Sequence, residues 1–401
     1  MPELSTLIAA HIQSSAQGKI SFAEYMDLAL YHPQYGYYAS RPALIGGQGD
    51  FVTSPHLTAD FGELLAIQLV EMWGILGHPS PFTVVEMGAG QGLISKDVCQ
   101  FLHRYHPNCF QALAYCIIEK SETLAHAQKY QMKDIALPGQ GLSWTDWPEL
   151  ENNSVVGCFI SNELVDAFPV HLVQWQGDRL SERYVTVVPI AQDESSTPQF
   201  QETIGDISTD ALMDYFSLVG IDFSQDRFES GYCSEVNLEA LEWIETVAAK
   251  LQRGYVLTID YGYTAKRYYS PARRQGTLQC YYQHAHHSNP YIHVGNQDIT
   301  AHVDFTALER HGERRGLNTV EFTQQGLFLM ALGLGDRIAA LSQLSPTADL
   351  SINDILRRRD ALHALINPMG LGNFGVLVQS KGLSDTEQAR VLTGFDIPSM
   401  N

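Results

Sequence analysis

Residues 84–92 read Val-Val-Glu-Met-Gly-Ala-Gly-Gln-Gly, the run with the clearest chemistry in the chain. An apolar strand precedes it and a helical pattern follows. Glycines at a strand-to-helix turn let a ligand come close to the backbone where side chains would block it. The spacing selects among ligands. A dinucleotide fingerprint needs its third glycine at position 93, which is Leu93, so a nicotinamide-type site is disfavoured. Here the glycines are Gly88, Gly90 and Gly92, and the carboxylate of Glu86 stands ahead of them. A carboxylate there suits a ligand with a cationic end, not one with a pyrophosphate. The plain alternative is an ordinary turn between strand and helix.

Other candidates fall at the ends of neighbouring strands. Glu119 closes the second strand, where a carboxylate with two acceptor oxygens suits a ribose diol. Trp144 and Asp146 fall where the next strand end would meet an adenine ring, one by stacking and one by hydrogen bonding. Asn162, Glu163 and Asp166 follow the fourth strand, across the crevice from the glycine turn. Such carboxylates can hold a guanidinium through paired hydrogen bonds. Asn162 as a simple helix cap is the structural alternative. His284, His286, His287, His293 and His302 lack any regular ligand spacing, so no metal site is expected. Arg357-Arg358-Arg359 reads as a solvated helix face.

The elements that must position these groups alternate between strand and helix. Strands are expected at 82–86, 114–119, 142–144, 155–161, 255–260, 318–323 and 374–380, with helices between most of them. That order implies an α/β fold with a mostly parallel sheet whose ligands lie at the strands' carboxyl ends. Residues 1–80 read as a helical N-terminal cap, with an aromatic loop at 31–38 and a helix start at Ser54-Pro55. Residues 81–324 form the core, with a hairpin and loop inserted at about 168–235; residues 191–230 look irregular, and 264–300 look like a Tyr/His-rich loop. A helical insertion is expected over 325–372, with two helices at 325–366, and the last core strand and tail over 373–401.

Composition narrows the class. The 401 residues are 45% hydrophobic and 17% charged, as in a globular protein, and the formal net charge is −20. That acidity argues against a sequence-independent grip on nucleic acid. The six cysteines contain no C-x-x-C pair and lie in apolar contexts, as reduced core thiols do. No apolar run is long enough for a membrane span. Residues 1–40 carry Lys19 and no arginine, which argues against a transit peptide and for a cytoplasmic protein.

Several runs together resemble the MidA family of S-adenosylmethionine (SAM) dependent methyltransferases, which includes a mitochondrial complex I assembly branch. They are Leu30–Tyr38, Gly49–Pro55, Phe61–Leu65, Val85–Gly92, Asn162–Val170, Ile259–Gly262 and Asp298–Phe305, in the family's order. The resemblance implies a Rossmann-like methyltransferase fold of seven strands, with a helical cap and a helical insertion near the C-terminus. It implies SAM as cofactor, held by Glu86, Gly88, Gly90, Gly92, Glu119, Trp144, Asp146, Thr53 and Ser54. It implies an arginine-bearing protein acceptor at Asn162, Glu163 and Asp166, a link to respiratory-complex assembly, and room for a homodimer. A non-catalytic SAM-binding assembly factor and a small-molecule methyltransferase are the alternatives. His56 stands where many relatives carry an acid, and the 284–289 loop is richer in histidine than the pattern, which leaves the acceptor open.

Overall fold

The computed structural model describes residues 4–40, 53–135, 137, 141–188, 197–225, 228–283, 285–343 and 351–397. Its centre is a sheet of seven strands: β1 (Phe82–Met87), β2 (Leu113–Ile118), β3 (Leu142–Trp144), β4 (Val155–Asn162), β5 (Leu251–Asp260), β6 (Asn318–Gln324) and β7 (Gly375–Lys381). The strand order is β6-β7-β5-β4-β1-β2-β3. Strands β1 to β5 run parallel, and β7 runs antiparallel to both of its neighbours. The expected α/β architecture is the one observed.

Parallel strands are covered on both faces, so their sequences are apolar throughout. Alternate residues divide between two cores. Val84, Tyr115, Cys158 and Leu257 pack beneath the helices Asp60–Ile75 and Leu93–Tyr105. Val85, Cys116, Phe159 and Val256 pack beneath Leu238–Lys250 and Phe305–Arg314. A slip of one residue in any strand would exchange these sets. All six cysteines are buried free thiols, four of them within these two cores.

The N-terminal helices Leu4–Ser14 and Phe22–Tyr31 join the inserted hairpin in a second unit. Ile20 and Ser21 pair with Leu180–Val187, which also pairs with His171–Trp175 and Phe200–Gly205. Ile8, Phe22, Met26, Val170, Leu172, Val185 and Phe200 share one apolar cluster. The stretch expected to be irregular at 191–230 contains the strand Phe200–Gly205 and the helix Ala211–Val219. The expected loop at 264–300 contains three short antiparallel strands, Gln279–Tyr282, Ala285–His287 and Asp298–Thr300. Strands this short owe their form to pairing more than to pattern, which is why periodicity misses them.

Between β6 and β7 the described residues form three helices, Gln325–Ala331, Leu334–Leu341 and Ile352–Ile366, where two were expected. Arg358 is not part of a purely solvated face. It donates to both oxygens of buried Asp60 at 2.6 and 2.8 Å, and Arg337 joins the same carboxylate at 2.6 Å. This bidentate pairing fastens the insertion to the helix that carries Asp60.

Candidate functional site at the carboxyl edge of the sheet

The turn after β1 is left-handed at Gly88, Gly90 and Gly92, with φ of 65°, 54° and 75°. Side chains are strained in that region, so the three glycines answer a backbone need. Their surroundings differ. A Cβ on Gly88 would lie 2.6 Å from Leu164, while one on Gly90 would meet no atom within 4 Å. Gly90 faces a cavity of about 1020 Å³ at the carboxyl ends of the strands. A cradle that glycine keeps open, beside an acid at each of two strand ends, fits the SAM expectation.

One end of the cavity lies over β1 to β3. Glu86 is buried at its floor and accepts the Tyr115 hydroxyl at 2.8 Å; burial pushes its carboxyl up to about 7. Glu119 lines the wall and accepts the Ser121 N–H at 3.0 Å and Gln128 Nε2 at 2.9 Å. Burial raises Glu119 as well, while those bonds pull it back. Gln128 also donates to the Gly90 carbonyl at 2.9 Å, and its own oxygen receives the Trp144 indole N–H at 2.8 Å. Fully buried Gln128 thus fixes the glycine turn, Glu119 and β3 relative to one another. The sequence reading missed it, because one glutamine in an amphipathic helix carries no spacing signal.

Trp144 is spent on that bond and does not line the cavity; Trp147 and Pro148 do, together with Asp146. The aromatic wall expected at Trp144 therefore lies three residues further on. Gly92 is also off the wall, acting as the left-handed cap of the helix Leu93–Tyr105.

The other end lies over β4 and β5. Asn162 and Glu163 line the cavity, and Glu163 holds a left-handed φ of 51°. A non-glycine residue in that region is strained by roughly 1–3 kcal/mol, and such strain gathers at functional sites. Two things hold it. The Glu163 N–H donates to the Ile259 carbonyl at 2.9 Å, and Asn162 Nδ2 donates to the Glu163 carboxyl at 3.1 Å. Asp260, at the end of β5, ties down the following turn. Its Oδ2 accepts the N–H groups of Leu164, Val165 and Asp166 at 3.2, 2.8 and 3.4 Å. Asp260 was visible as a strand-end acid, yet its role depends on a neighbouring strand 94 to 96 residues away.

Asp166 does not line the cavity itself but sits against Glu163, Asp260 and Asp298. Burial and these like charges push its carboxyl well above the usual carboxylate range. Burial, with Asp260 beside it, pushes Glu163 up to about 8. Among the described residues no lysine or arginine forms an ion pair with Glu163 or Asp166. Asp298, absent from the sequence candidates, is completely buried and accepts the Tyr38 hydroxyl at 2.9 Å.

The aromatic loop closes over this end. Tyr31 and Tyr38 line the cavity, and the Tyr31 hydroxyl donates to the Ala167 carbonyl at 2.9 Å. Thr53 lines it too, its hydroxyl 2.6 Å from His56 Nδ1. Ser54 is buried off the wall, bonding Gln325 at 3.2 Å, and its backbone N–H supports the Glu163 carboxylate. The remainder of the Gly49–Pro55 run, residues 49–52, and His284 lie outside the described residues.

Comparison with known proteins agrees with this geometry. The family described as S-adenosyl-L-methionine-dependent methyltransferase matches residues 64–323. A mitochondrial protein arginine methyltransferase NDUFAF7 homolog of Drosophila melanogaster is 30% identical over 79% of this chain and 72% of its own. The mitochondrial protein arginine methyltransferase NDUFAF7 of Homo sapiens is 26% identical over 91% of this chain and 81% of its own. The crystal structure of a COG1565 superfamily member from Burkholderia thailandensis, bound to S-adenosyl-homocysteine, aligns with a TM-score of 0.81. It has 29% identity and covers 98% of this chain and 94% of that one.

These relatives also correct the expectation of a cytoplasmic protein, because the curated ones are named as mitochondrial. The scarcity of basic residues over residues 1–40 was the wrong guide. With the glycine cradle, the strand-end acids and the matched profile in agreement, the chain belongs to the MidA-like family of SAM-dependent methyltransferases.

Proposed function

We propose that this enzyme methylates the guanidinium of an arginine side chain in a protein substrate. The observation that carries the reading is the group of carboxylates over β4 and β5, Glu163 and Asp166 backed by Asp260 and Asp298, without a basic partner among the described residues for the first two. Burying acids together is costly unless a cation offsets them. A guanidinium supplies that charge in a planar, two-pronged form suited to carboxylates. The names of the relatives as protein arginine methyltransferases support the same reading.

SAM, when bound, supplies a methyl group already activated on a sulfonium. The chain's residues have three tasks. Gly90 leaves the turn open, Glu119 offers acceptors to a ribose, and Glu86 with Asp146, Trp147 and Thr53 completes the donor wall. Glu163, at the cavity wall with Asp166 behind it, holds the acceptor nitrogen in line, the arrangement that contributes most when little covalent chemistry is required. A guanidinium stays protonated at neutral pH, so these carboxylates accept its proton late in the transfer instead of removing it beforehand. Tyr31 and Tyr38 exclude water from above. The same reading allows a homodimer, which light scattering of the purified chain tests.

The test is incubation of the purified enzyme with methyl-labelled SAM and a library of arginine-bearing proteins, followed by mass spectrometry. Label on arginine is the expected result. Label only on small molecules would move the acceptor to another class, and no label on any acceptor would favour a SAM-binding assembly factor.

A further inference from the structure

Off the cavity wall, but next to the carboxylates in the fold, is a small basic cluster that the methyl-transfer reading leaves unused: the Ala301 N–H donates to the Asp166 carbonyl at 2.9 Å, and the next residue, His302, packs on Tyr261. Tyr261 and Tyr263 follow Asp260 directly, and their ring centroids are 6.4 Å apart. Arg267 and Arg273 both stack on the Tyr263 ring, their guanidinium carbons 4.2 and 4.7 Å from its centroid. Arg273 is held there by donating to the carbonyls of Arg267 and Tyr268 at 2.6 and 2.8 Å.

Two guanidiniums on one ring repel each other, and a nearby anion relieves that repulsion. In a chain with 45 acids against 25 bases, carboxylate partners are plentiful. Arg183, Arg253, Arg274, Arg315, Arg337 and Arg358 each have one. Like Arg104, Arg310, Arg314 and Arg390, Arg267 and Arg273 form no ion pair with a described residue, and these two share one ring. His302 packs edge-on against Tyr261 at 4.1 Å and lies 5.0 Å from Tyr263. Its two ring nitrogens are shielded and have no hydrogen-bond partner, so polar capacity is left unspent beside the arginines. Burial and the two arginines hold His302 down at about 3, so it stays neutral and the positive charge remains on the guanidiniums.

We propose that Arg267 and Arg273, stacked on Tyr263, form an anion subsite that takes a carboxylate side chain of the protein substrate a few residues from the target arginine. This rests on the arginine reading of the acceptor end. The geometry suits it. The subsite begins one residue beyond Asp260, whose carboxylate fixes the turn bearing Asp166. The stacked pair offers planar donors in a fork that matches a carboxylate, and a phosphate has related chemistry.

The experiment is calorimetry on the full chain loaded with S-adenosyl-homocysteine. The probes are arginine peptides carrying one aspartate at successive positions either side of the arginine, with an all-alanine control and a phosphoserine series. Aspartate at one or two positions is expected to tighten binding about tenfold at low salt. The R267A/R273A double variant should lose that gain while binding the control peptide unchanged. No preference for aspartate in the wild type, or a preference that survives in the double variant, would overturn the subsite. A preference for phosphoserine with none for aspartate would overturn the carboxylate assignment. A second arm needs no acceptor arginine: acetyl-aspartate amide at millimolar concentration should shift the NMR signals of the Arg267 and Arg273 side-chain N–H groups. Shifts there without any binding of arginine peptides would refute the arginine reading and leave the anion site standing; unmoved signals would refute the anion site.

Discussion

The two ends of the cavity are built on different principles. Over β1 to β3, the candidate donor groups come from short sequence distances, and each acid already has partners: Tyr115 for Glu86, Ser121 and Gln128 for Glu119. Over β4 and β5, the carboxylates come from segments near 163, 260 and 298, crowd one another, and include a strained backbone at Glu163. The first end is a satisfied, preformed cradle. The second is polar and under-compensated, and awaits a cation. A methyl donor of fixed structure suits the former, and an acceptor that must arrive, react and leave suits the latter.

The comparison predicts that substitutions at the two ends separate donor affinity from methyl transfer. Gly90→Val should have the largest effect. It fills the open cradle and should lower SAM affinity by about 100-fold or more, with circular dichroism showing the fold retained; calorimetry showing unchanged affinity would remove Gly90 from the donor site. Asp166→Ala should keep SAM affinity within a few-fold and cut methyl transfer by about 100-fold. Full activity on the true acceptor would dissolve the distinction. Glu119→Ala should weaken SAM by about 10- to 100-fold, the usual range for losing hydrogen bonds to a charged group, while the chemical step in saturated enzyme changes little.

A pH series sharpens the same contrast. Glu163 is raised to about 8, so in the free protein it is protonated through neutral pH. Its folded-state contribution to stability is therefore full below the ordinary carboxylate range and is lost as pH climbs toward about 8. Binding a guanidinium needs the ionised form. Affinity for arginine peptides should rise with pH through about 8, and Glu163→Gln should reduce the slope, leaving the part that Asp166 contributes. SAM affinity should show no such slope from Glu163. The smallest effect is expected at the seam between loop and acceptor end: Tyr38→Phe removes the bond to Asp298 and should raise the KM for the acceptor about 3- to 10-fold, leaving SAM affinity unaltered.

The same division explains what was legible in the sequence. The sheet could be read because parallel strands are apolar on both faces, and β1 to β7 fall within a few residues of their expected places. The donor turn could be read because Glu86 to Gly92 is contiguous and each glycine has a backbone reason. Trp144 was misplaced because its position in β3 was clear but its orientation was not, and the hydrogen bond to Gln128 decides it. Asp260 was placed at the end of its strand and Asp298 stood as a single acid in a polar stretch, but neither was linked to Asp166, because only the fold brings them there. Arg358 was read as solvated because its partner Asp60 is 298 residues away. Contacts of that kind carry no local period.

The most direct test is a crystal structure of the enzyme with S-adenosyl-homocysteine and an arginine peptide. The account predicts the nucleoside against Glu119 and Trp147, and the guanidinium against Glu163 with Asp166 behind that carboxylate. An arginine bound elsewhere, or a nucleoside lying over β5 instead of β1 and β2, would contradict it.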